Sequence, residues 1–156
     1  MKNIIKIACF ALVFLPATLF AQKAGSTTKT TPPSKVKIYS TIGGLVDSSS
    51  ITVADAERLI ALPIVVQDAK KLNYPISSYQ FMYIKKGVTE DEGTGKVTPT
   101  TSMVADIFKT TPLAPIWVKS VQEQVKPGEE LFFFDIIVKG AAGKLHYAPP
   151  LRLLVR

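Results

Sequence analysis

Leu131-Phe132-Phe133-Phe134-Asp135-Ile136-Ile137-Val138 is the stretch on which the fold turns. Phenylalanine, isoleucine and valine favour extended backbone. A nearly unbroken apolar run of this length predicts a central β-strand buried on both faces. The one interruption is Asp135, and an inward-pointing carboxylate there would need hydrogen bonds from the backbone amides of a neighbouring loop. Working outward, Lys126-Pro127-Gly128 stops whatever precedes the strand, and Gly140 to Lys144 turns the chain after it. Leu145 to Arg156 then predicts a final strand that Pro149-Pro150 must bend or confine to an edge.

Upstream, Trp117, Val118, Val121 and Val125 recur at the spacing of one helical face, with Lys119, Gln122 and Glu123 directed to water. Thr111-Pro112 predicts the start of that helix, as N-cap and first helical residue. A second short helix is predicted from Thr52, an N-cap with Asp55 and Glu57 in the first turn, and Pro63 ends it. Val36 to Ile42, Ile64 to Val66 and Ile76 to Ile84 read as strands, the first closed by Gly43-Gly44. Lys85 to Lys96, KKGVTEDEGTGK, has the acids and glycines of an exposed turn or loop, followed by a Thr-rich stretch interrupted by Pro99. Strands outnumber helices. The expectation is a mostly β domain, a β-sandwich of immunoglobulin-like kind with one or two short helices, or alternatively an α+β fold.

The chain has 156 residues, 47% of them hydrophobic, which suits one globular domain. Its lone cysteine, Cys9, and lone histidine, His146, cannot furnish a disulfide framework, a cysteine zinc site or a multi-histidine metal site. Met1 to Ala21 has the layout of a secretory signal peptide: Lys2 and Lys6, an apolar run from Ile7 to Leu15, then Leu19-Phe20-Ala21. Cleavage after Ala21 is expected, giving an exported protein of the periplasm or outer-membrane periphery with no transmembrane segment and no cysteine. Residues 22–35 form a basic Ser/Thr/Pro tract that reads as a flexible linker, and 36–156 as the folded domain. Four lysines between 22 and 46 account for most of the mature charge. From Asp47 to Arg156 thirteen basic residues face twelve acidic ones, so a nucleic-acid partner loses its electrostatic support.

Motifs for chemistry are weak. Gly93-Thr-Gly-Lys-Val97 lacks the earlier glycine and the hydroxyl residue of a phosphate loop, and Thr89-Glu-Asp-Glu-Gly93 lacks the alternating ligands of a calcium loop. Ser48-Ser49-Ser50, His146 and Asp135 could be drawn as a triad, but no nucleophile elbow surrounds any of the serines. Glu129 and Glu130, just ahead of the strand, read as exposed. A sugar-binding protein or hydrolase would need a cleft that gathers Asp135 and Glu130 with exposed aromatics. Trp117 and Phe132 to Phe134 read first as core anchors. No catalytic, cofactor-binding or metal residue is assigned, no cofactor is called for, and the expectation is that the protein is not an enzyme.

The succession Gly43-Gly44, short helix, Ile76-Ser-Ser-Tyr79, helix, Val125-Lys-Pro-Gly128, Leu131-Phe-Phe-Phe-Asp-Ile136 and a Gly140 to Lys144 turn resembles the C-terminal domain of the GldM/PorM family. That family is the periplasmic core component of gliding motility and type IX secretion in Bacteroidota. The resemblance runs from Lys35 to Arg156 and departs at Ala141-Ala142-Gly143, where the family carries Pro-Asp-Gly. It implies a free-standing β-rich module that binds envelope proteins, either outer-membrane ring components or itself as a homodimer, without catalytic residues.

Overall fold

The computed structural model of the chain describes residues 37–156. The signal peptide expected at 1–21 and the linker expected at 22–35 lie outside the described residues. In chain order the elements are β1 (Ile38–Ile42), β2 (Ser49–Ile51), α1 (Val53–Leu59), β3 (Ile64–Asp68), β4 (Ile76–Glu90), β5 (Val97–Phe108), α2 (Pro115–Gln124), β6 (Glu130–Lys139), β7 (Leu145–Ala148) and β8 (Leu151–Val155). A single 3-10 turn at Ala141–Gly143 joins β6 to β7. Among the described residues the fold is mostly β with two short helices. Its layering is that of the α+β alternative: one large open sheet, with the helices and the small β1–β3 sheet gathered into a common core on one side.

The large sheet runs β2-β8-β6-β4-β5, with β7 beside β8 on the same flank of β6. All its pairings are antiparallel except that of β2 with β8. The predicted final strand therefore divides at Pro149-Pro150 into two strands on one neighbour, and the Ser40 hydroxyl donates to the Pro149 carbonyl at 2.6 Å at the break. The run from Leu131 to Val138 is indeed central, but it is not buried on both faces. Leu131 and Phe133 point into the core while Phe132 and Phe134 lie on the other face. Two β6 residues, Asp135 and Ile136, then stand against the single β4 residue Tyr79, which is a β-bulge, and Asp135 takes a φ of 46°. The extra residue flips the parity. Ile136 and Val138 become the inward pair and Ile137 faces out. An apolar run without alternation is thus two alternating half-strands joined out of phase.

The helices close the inner face. Thr52 caps α1 as expected, its hydroxyl oxygen accepting from the Asp55 amide at 3.1 Å while its O–H donates to the Asp55 carboxylate at 2.9 Å. Gly43, at φ 55°, passes so close to α1 that a Cβ there would meet Leu59 Cδ2 at 2.3 Å. The second helix begins later than predicted. Ala114 is its N-cap and Pro115 sits in its first turn, whereas Thr111-Pro112 is a cis peptide whose Thr111 hydroxyl accepts from the Ile64 amide at 2.9 Å. The threonine was needed to satisfy the first amide of β3, so it caps no helix. Trp117 packs edge-on against Phe81 and Phe108, and Gln122 Nε2 donates to the Glu57 carbonyl at 2.8 Å, tying α2 to α1.

The stretch from Lys85 to Lys96 also departs from expectation. β4 continues to Glu90 and β5 begins at Val97, so only residues 91–96 turn. Beyond Ile84 the strand β4 has no pairing with β6, and residues 85–90 and 97–102 pair only with each other as a two-stranded arm. Water lies on both faces of this arm, so nothing selects apolar alternation there. Its strand character comes from cross-strand pairing with the Thr-rich partner.

Candidate protein-interaction surface

The face of the large sheet turned away from the helices is uncovered among the described residues. Strand register places its side chains in rows: Ile107, Gln80 and Phe134 in one, Ala105, Met82, Phe132 and Arg152 in the next, then Met103, Ile84, Glu130 and Leu154. Past the bulge, Ile137 pairs with Tyr147. Most of these are apolar. Met103 is 66% exposed, Ile107 64% and Tyr147 75%. Phe132 and Phe134 stack at 5.0 Å with their planes 13° apart, and the Arg152 guanidinium lies 4.5 Å over Phe132. Scattered exposed apolar side chains are ordinary on a protein surface. A contiguous set spread across five strands goes beyond such scatter, and patches of that kind are commonly sites of contact with other molecules.

The edges of this sheet differ. One ends in the three-residue β2. The other is β5, twelve residues long, and Asp106 is the only charge in it. Proteins usually defend so long an edge with lysines, prolines, bulges or a covering element. Here Pro99 stands near one end, and at the other the Asp106 carboxylate accepts from the Ile107 amide at 2.7 Å.

At the base of the arm Glu129 sits only 2% exposed, contrary to the exposed position expected of it. Its carboxylate accepts from the Tyr83 hydroxyl, from the Lys86 amide at 3.2 Å and from the Lys126 amide at 3.0 Å. Those donors come from β4 and from the end of the α2 connection. A carboxylate is the side chain with enough acceptor sites to serve all three in a space with little water. Burial, then the neighbouring Glu129, pushes the Tyr83 hydroxyl well above its ordinary range, so it stays a donor. Tyr79, inside the same sheet, is pushed up to about 12, chiefly by burial, and donates to the Thr110 carbonyl at 3.1 Å.

The other candidates are dispersed. Asp135 is exposed on the bulge and accepts from Gln80 Nε2 at 2.8 Å, so its partner is a side chain and not the expected loop amides. Glu130 lies at the far end of the outer face beside Arg152, at 3.8 Å, with Phe132 and Phe134 between it and Asp135. His146 packs edge-on to Tyr74, and the Ser49 hydroxyl donates to the Val46 carbonyl at 2.6 Å. No hydrogen bond joins Asp135, His146 and Ser48–Ser50 among the described residues. In the arm's turn, Asp91 accepts from the Gly93 amide and from the amide and hydroxyl of Thr94, and these bonds, the Thr94 hydroxyl foremost, hold its carboxyl below the usual carboxylate range. That acid shapes the turn. Among the described residues no cluster of three or more His, Cys, Asp or Glu side chains could hold a metal. Nor is any helix among them long and apolar enough to cross a membrane.

No protein-family model and no curated protein matches this chain. The reading of its function rests on the surface just described. Sequence reasoning missed that surface because it assigned Phe132 and Phe134 to the core. The signal available was the parity break at Asp135, since a lone acid in an apolar strand marks a point where alternation can change phase. Glu129 was missed because its three donors come from residues up to 46 positions away.

Proposed function

We propose that this protein is an exported, non-catalytic protein–protein interaction module of the bacterial envelope, serving a type IX secretion or gliding-motility assembly. The observation that carries the proposal is the apolar outer face of the large sheet, which lies open on a domain whose inner face packs against both helices and the β1–β3 sheet. The N-terminal sequence supports export, and the resemblance of Lys35 to Arg156 to the GldM/PorM C-terminal domain supports the choice of assembly. A hydrolase or sugar-binding reading has less behind it, because Asp135 and Glu130 are held apart on the sheet and line different cavities.

The test is affinity capture from cross-linked cell envelopes, with a tag placed beyond Arg156. Recovery of secretion or motility ring components, lost when Phe132 is changed to aspartate, is the expected result. A protein that stays monomeric and captures nothing overturns the proposal.

A further inference from the structure

The outer face is the surface on which the interaction reading rests, and the β5 edge bears on what kind of molecule it would meet. Three observations fix the direction of its amides. The Lys86 amide bonds Glu129 on the β6 side, so the even residues of β4 point toward β6 and the odd ones toward β5. Through the register Tyr83↔Val104 and Phe81↔Asp106, the even residues of β5 then face β4 and the odd ones face out. The Ile107 amide, capped by its neighbour's carboxylate, and Pro99, which has no amide to offer, both fall on the outward set. Between them Thr101, Met103 and Ala105 present N–H and C=O groups with no partner among the described residues. Only an extended polypeptide offers donors and acceptors at that repeat.

The flanks of the edge agree. On the helix side a cavity of about 170 Å³ is walled by Val104, Ile116, Trp117 and Ser120. That is below the roughly 300 Å³ at which small-molecule sites begin, and it suits one apolar side chain. Ile116 is 75% exposed at its rim. On the opposite side Met103 and Ile107 offer apolar contact to the alternate residues of an added strand. Lys119 and Glu123 of α2 pair with each other at 3.7 Å, and Asp106 is the one charged residue of β5 itself.

Resting on the interaction-module reading, we propose that β5 takes up an extended segment of a partner protein as an added strand. The segment is five or so residues long, apolar at alternate positions and free of proline across the pairing stretch. It places one aliphatic side chain beside Trp117 and carries lysine or arginine toward Asp106.

The test pans a display library of random linear dodecapeptides against the full mature chain and titrates the selected peptide while recording the emission of Trp117, the only tryptophan in the chain. Expected are enrichment of alternating apolar peptides with a basic residue and a shift of that emission on binding. Ala105→Pro removes an outward amide without touching the β4 ladder and should weaken binding by about tenfold or more. Ile116→Asp acts from an exposed helix position, should weaken binding similarly, and decides the matter if Ala105→Pro fails to fold. Empty panning, equal binding by both variants, or an edge found occupied by a second copy of the chain overturns the proposal. Envelope capture repeated with Ala105→Pro separates the two readings. Partners recovered in undiminished yield reject the added strand and leave the interaction module standing, whereas no partner with either protein rejects both.

Discussion

The two faces of the large sheet are made of similar residues and differ in what lies against them. Phe133 points to a side filled by Tyr79, Phe81 and Trp117, while Phe132, its neighbour in the same strand, lies in a single layer beside Met82, Phe134 and the Arg152 guanidinium. Composition alone does not make a core. The inner face is a core because α1, α2 and the β1–β3 sheet each turn an apolar stripe toward it, and the outer face receives no such element among the described residues.

The sharpest break of that comparison is on the inner side. Phe133→Ala removes a fully buried ring from a cluster of aromatics and should cost about 3–5 kcal/mol, read from urea unfolding with an unchanged slope. A cost under about 1 kcal/mol would mean that the inner face is loosely packed and that the two faces are not distinct.

Next in size is Glu129, where the contrast is between a polar group inside the domain and the polar groups on its outer face. Glu129→Ala strands the Tyr83 hydroxyl and the amides of Lys86 and Lys126, and should cost about 2–3 kcal/mol. Because two of the donors belong to β4 where the arm leaves the sheet, the loss should also speed hydrogen exchange at the Lys86 amide and leave β8 protected. Uniform acceleration over the whole domain would show instead that the carboxylate stabilises only the global fold. Asp135→Asn makes the control, since asparagine tolerates the positive φ and the single bond to Gln80 is exposed, so the change should cost little.

Sequence reading succeeded where one residue's neighbours in the chain settle its environment. Thr52 caps α1 through the Asp55 amide three residues on, Pro63 lies past the helix end, and the spacing of Trp117, Val121 and Val125 finds the buried side of α2. It failed where the deciding partner is distant. Thr111 is drawn from a cap to the amide of Ile64, 47 positions earlier, and Glu129 is buried by donors on β4. The arm has the sequence of an exposed turn or loop because a two-stranded ribbon with water on both sides shows no periodicity in hydropathy. The open face was hidden by the bulge, which places Phe134 and Ile137 on the same side although their spacing in the chain is odd.

The smallest effect on stability should accompany the largest on function. Met103→Ser with Ile107→Ser changes two side chains on the outer face that are mostly in water already, so the unfolding free energy should move by no more than about 0.5 kcal/mol. If the outer face is where a partner binds, the same pair should sharply reduce the yield of envelope capture, because side chains that contribute little to folding are then free to contribute to association. A double variant that unfolds early would place these residues in an intramolecular contact and make the outer face a second core. One that is as stable as the parent and captures as well would move the binding surface off the sheet face, toward the arm or the far edge. The expected pairing, stability kept and capture lost, is the signature of a face whose packing is completed by another molecule.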